Sequence, residues 1–128
     1  MNQGNNGQLA RIIGFAALLE IAASVALLVD PQLVLRLLLG VDGAGAAVLL
    51  GRCFGIALLG LGLACWPGGH QTVKGNATWR GLVAYNGMIA LYLLFLGTAG
   101  LFTGLLLWPA IGLHAALVLL LLWGRRDG

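Results

Sequence analysis

Charge is what this sequence has least of. Only 9% of its 128 residues are Asp, Glu, Lys or Arg, and 60% are hydrophobic. A soluble domain carries about 25% charged and roughly 45–50% apolar residues. So few charges cannot cover a water-soluble surface of this size, so composition alone excludes an ordinary soluble domain and leaves a membrane protein of one domain. Cysteine is nearly as scarce. Cys53 and Cys65 lie on one apolar stretch, ~18 Å apart along a helix, which is beyond disulfide reach. They do not form CxxC, which argues against thiol–disulfide chemistry, and they read as small packing residues. The sequence also lacks a basic patch interleaved with aromatics, so nucleic acid is not an expected partner. No nucleophile–base pair or phosphate loop is present, so no enzymatic reaction and no cofactor are expected. His114 with Glu20 would be too few ligands for a metal.

What remains is four long apolar stretches, at about 9–29, 45–66, 79–97 and 105–123. Each matches the ~20 residues a helix needs to cross the hydrocarbon core. The expected fold is an all-α membrane protein, an antiparallel four-transmembrane-helix bundle filling residues 1–128. Residues 1–8 (MNQGNNGQ) are polar and rich in Gly and Asn; they read as a short disordered tail, retained because they lack the basic start of a signal peptide. Between the first two spans, Asp30-Pro31 offers an N-cap followed by proline at the first helical position, and Gly40 offers a stop. The segment 31–39 is too short to span and reads as an interfacial helix, with Arg36 snorkelling to water. Residues 67–78 form the one substantial polar loop. The turn 98–104 is short enough to force adjacent antiparallel helices. The third span carries Tyr85 and Tyr92 seven residues apart, on one face, which reads as core packing.

Basic residues predict the orientation. Arg11, Lys74, Arg80, Arg125 and Arg126 fall on one side, and Arg36 falls opposite with Asp30 and Asp42. By the positive-inside rule both termini are cytoplasmic, in the plasma or inner membrane. Trp66, Trp79 and Trp123 fall at the same ends, where aromatic belts form.

Each span carries one polar group: Glu20, Arg52, Asn86 and His114. An ionisable group within a span is costly and by default marks a functional site. Ala16, Ala17, Ala23 and Ser24 surround Glu20 at helical spacing, and small residues favour close helix contact, so Glu20 is expected to face the bundle interior. Arg52 falls near the face of Gly55 and Gly62 and is expected to do the same. Gly51 and Gly55 form a GxxxG pair that reads as close helix packing. Counting residues from the span ends places Glu20, Arg52 and His114 in one layer, with Asn86 one to two turns beneath. Glu20 and Arg52 are then expected to pair, which would remove most of the burial cost. The cluster admits three readings: a structural ion pair fixing register, a ligand site, or a proton-coupled path.

The stretch from Asp30-Pro31 through Gly40 and on through GRCFGIALLGLGLACW resembles the small four-helix bacterial membrane proteins of the DoxX-like and related families. Arg52 and Gly55 match their Arg-x-x-Gly start to the second span, over about residues 10–66. The resemblance implies a four-helix fold more than a function. GFAALLEIAAS, with Glu20 among small residues, is similar to the first span of the small multidrug resistance transporters and implies proton-coupled transport through Glu20. Arg52, the long loop 67–78 and the missing mid-span Trp depart from that pattern. The leading expectation is a non-enzymatic membrane protein, a small subunit or a binding or scaffold protein. The lipid bilayer surrounds it, and a membrane-protein partner or a second copy of the chain is the expected partner.

Overall fold

The computed structural model describes residues 3–67 and 76–126, with side chains over 7–67 and 77–126. Five helices follow in order: α1 (Gln3–Val29), α2 (Pro31–Leu39), α3 (Ala46–Cys65), α4 (Asn76–Thr98) and α5 (Leu107–Arg126). Four of them contain segments long and apolar enough to cross a membrane: Gly7–Val29, Ala46–Cys65, Ala77–Thr98 and Leu107–Arg126. The all-α four-span architecture expected from composition and run length is therefore present. Two boundaries move. The polar start expected to be a disordered tail is helical from Gln3, because a helix already nucleated extends at little cost through weak helix formers. α4 begins at Asn76, before the expected Trp79, and residues 68–75 of the polar loop lie outside the described residues.

α2 forms for the local reasons its sequence offers. The Asp30 carboxylate accepts a hydrogen bond from the Leu33 N–H at 3.0 Å, and Pro31 occupies the first turn. Gly40, at φ 73, ends the helix in the left-handed conformation, and its N–H reaches the Arg36 carbonyl. Arg36 is exposed and pairs with Asp42. The last carbonyls of α2 find donors in the turn between α4 and α5. Thr103 N–H donates to Leu39 O at 3.3 Å, and Leu106 N–H donates to Leu37 O at 2.7 Å. Gly104 makes this approach possible, since a Cβ there would lie 2.2 Å from the Leu38 carbonyl carbon.

α1 packs along α3 and, over a shorter length, against α5, while α4 packs along α5 and barely touches α3. Small residues set the α1–α3 approach. Gly55, Leu58, Gly62 and Cys65 are the buried residues of α3. A Cβ at Gly55 would stand 3.1 Å from the Ser24 carbonyl oxygen, and one at Gly62 would stand 3.0 Å from that of Ala17. Such contact gives van der Waals packing where lipid supplies no hydrophobic drive.

Two apolar cores fill the bundle. One, near the termini, holds Ile13, Ala16, Ala17, Cys65, Leu82, Leu117 and Leu121. The other, beneath α2, holds Leu93, Leu96 and Leu107, with Ile89 and Ile111 packed against them. Between the two lies a polar layer.

Candidate functional site

The layer is built where α1, α4 and α5 present one polar residue each between apolar turns. On α4, Asn86 sits between Leu82 of one core and Ile89 of the other; on α5, His114 sits between Leu117 and Ile111. Glu20 follows Ala16 and Ala17 by one turn on α1. Glu20, Ser24 and Asn86 are the buried polar residues among the described ones, at 2%, 0% and 0% exposure.

The hydrogen bonds assign roles. Ser24 turns its hydroxyl back to the Ile21 carbonyl at 2.8 Å and so is locally satisfied. Asn86 Nδ2 donates to the Leu82 carbonyl of its own helix at 2.9 Å. Its Oδ1 therefore faces outward and meets His114 Nδ1 at 2.7 Å. Because that oxygen can only accept, the imidazole must carry its proton on Nδ1. The neutral ring then keeps an acceptor lone pair on Nε2. Tyr85 stands edge-on to the His114 ring, with centroids 6.0 Å apart and planes at 80°. Tyr85 and Asn86 are the side chains placed to hydrogen-bond the Glu20 carboxyl. Glu20 Oε1 nevertheless has no partner and is buried.

Three of the four expected residues, Glu20, Asn86 and His114, come together. Asn86 is level with His114 and not one to two turns beneath it. The antiparallel register of α4 and α5, in which the Trp79 indole N–H donates to the Leu121 carbonyl at 2.8 Å, decides this. Span ends judged from hydropathy carry no information on such stagger.

Arg52 does not join the layer. It is exposed, and among the described residues the ion pair is Arg36–Asp42, not Glu20–Arg52. The separation of Arg52 from Glu20 has two physical causes. The buried seam of α3 is centred on Gly51, Gly55, Leu58, Gly62 and Cys65, and Arg52 lies about 100° round the helix from Gly51. Axially, Gly51 abuts Pro31 and Leu27, whereas Gly62 abuts Ala17 and Ile21. Arg52 therefore belongs roughly 12 Å along the axis from Glu20. α3 starts beyond the end of α1, so equal counts from the two span ends do not give equal depth.

Tyr85 is the site residue the sequence reading assigned to packing. It is half-buried and faces the layer, whereas Tyr92, expected beside it in the core, is 61% exposed. Both cysteines are free, with Cys65 buried in the core and Cys53 exposed. Among the described residues no three His, Cys, Asp or Glu side chains cluster as a metal site would require.

Comparison with known proteins returned no matching family model, curated protein or solved structure.

Proposed function

We propose that this chain is a non-enzymatic membrane protein whose Glu20–Tyr85–Asn86–His114 layer binds a small hydrogen-bond donor within the bilayer. The observation that carries the reading is Glu20 Oε1, a buried acceptor with no partner. An unpaired buried polar group costs several kcal/mol, of order 2–7, and a charge costs more, so the position calls for a donor. A bound proton or a small cation supplies one; Arg52 is too far away to do so. The test is labelling with an apolar carbodiimide, read by mass spectrometry on the purified chain. Glu20 should be modified, Glu20→Gln should not, and methylammonium or guanidinium should protect. Labelling with no protection by any cation would leave Glu20 a structural acid.

Proton-coupled transport through Glu20 is the second reading. The exposure of Arg52 favours it, because no fixed cation then competes for the carboxylate. Liposomes holding the protein and a pH-sensitive dye should show substrate-driven proton movement that Glu20→Gln abolishes. No flux across a panel of cations would count against it.

The membrane we assign is a bacterial inner membrane, with both termini cytoplasmic. Arg11, Arg80, Arg125 and Arg126 at one end support the orientation; toward the other end lie Arg36, paired with Asp42, and Arg52. A reporter fused at Gly43 should signal from the outer side.

A further inference from the structure

The end of the bundle bearing the termini carries an arrangement that the Glu20 layer does not use. The Arg125 guanidinium lies over the Trp79 ring, 4.1 Å from its centroid. The ring is a fixed platform, since its N–H is held by the Leu121 carbonyl at 2.8 Å and its body packs against the apolar core. Stacking satisfies one face of the guanidinium electrostatically. It leaves the N–H edges free to donate, in a fork that matches two oxygens of a phosphate. The acidic residues among the described ones, Glu20, Asp30 and Asp42, all lie elsewhere.

The surrounding field has the same sign. Gly124 abuts Leu9 and Ile12, which brings Arg11 of α1 to the level of Arg125 and Arg126. α1 and α5 thus deliver Arg11, Arg125 and Arg126 to one end, at the depth where a tryptophan marks the headgroup region.

We propose that Trp79 and Arg125 form a binding site for the phosphate of an anionic glycerophospholipid in the adjoining leaflet. Arg125 donates a forked pair of hydrogen bonds, Trp79 holds it in place, and the other arginines raise the local concentration of anionic lipid. The ligand is the lipid and not a free headgroup, because Trp79 stands at the start of Ala77–Thr98, a segment long and apolar enough to cross a membrane.

The test is native mass spectrometry of the full chain, titrated in detergent with phosphatidylglycerol or with diacylglycerol, which has the same acyl chains and no phosphate. The first phosphatidylglycerol should bind about tenfold more tightly than diacylglycerol, the factor expected for one forked charge-assisted contact to the phosphate. Arg125→Lys keeps the charge but loses the planar fork, and should cut that preference several-fold; Arg126→Lys should keep it. Circular dichroism and monodisperse elution establish that each variant is folded. Wild-type preference in folded Arg125→Lys would overturn the site and leave only a diffuse basic surface. Equal affinity for the two lipids, or full competition by soluble glycerophosphoglycerol at matched concentration, would also overturn it. If Arg125→Lys fails to fold, Trp79→Phe is the second variant. It keeps an aromatic face but frees the platform from Leu121, and should weaken the first lipid several-fold; no change there would overturn the proposal.

Discussion

Asn86 Oδ1 meets His114 Nδ1 at 2.7 Å, across the contact between α4 and α5, in the polar layer between the two cores. Exchanging either residue leaves the other without its partner in this part-buried contact. This pair joins the α4–α5 hairpin to the layer that Glu20 completes from α1.

The pair fixes a tautomer. In spectra of the chain labelled with 15N at histidine, His114 should carry its proton on Nδ1, with Nε2 bare. Asn86→Ala should release that constraint and lower stability by about 1–2 kcal/mol, the upper range for interhelical hydrogen bonds in membranes. Unfolding in mixed micelles measures the second effect. A wild-type histidine spectrum in the variant would contradict the assignment.

Glu20 and Arg52 should behave as independent positions. The sequence alone suggests a coupled pair, with Glu20→Ala more damaging than Arg52→Ala and rescue in the double variant. The structure separates them, so the double-mutant cycle should close to within ~0.3–0.5 kcal/mol. Arg52→Gln should be tolerated because the side chain is exposed. A coupling energy above about 1 kcal/mol, measured in the same micelles, would place the two side chains together after all.

Two glycines of α3 should respond oppositely. A Cβ at Gly62 would lie 2.6 Å from Ile21 Cγ1 and 3.0 Å from a backbone oxygen of α1, while at Gly60 it would meet nothing within 4 Å. Gly62→Ala should cost on the order of 1–3 kcal/mol, as overpacking does. Gly60→Ala should be neutral or stabilising by up to about 1 kcal/mol through helix propensity. Equal effects would mean that α1 and α3 do not meet along this seam.

Run lengths, caps and basic residues were enough to read four spans and the short helix α2, because each depends on local chemistry. Asp30, Pro31 and Gly40 do the capping their identities suggest. The site was legible only in part. Small neighbours pointed Glu20 inward correctly, since a helix face is a local property. The partner of Glu20 was not legible, because it depends on the stagger and rotation of neighbouring helices. Those are set by where glycines permit contact: Gly51 against Pro31 and Gly62 against Ala17 move Arg52 away from Glu20. Tyr85 was missed for the same reason, as its neighbours lie on other helices.

The junction of α2 with the α4–α5 turn has a consequence for biogenesis. The carbonyls of Leu37 and Leu39 receive their donors from Leu106 and Thr103, which leave the ribosome long after α2 does. A first hairpin of α1 and α3 inserted alone would leave these α2 carbonyls dependent on water for their hydrogen bonds. Arrival of the second hairpin displaces that water and latches the two halves together at the end away from the termini. With insertion in chain order, the closing step would belong to the last hairpin made.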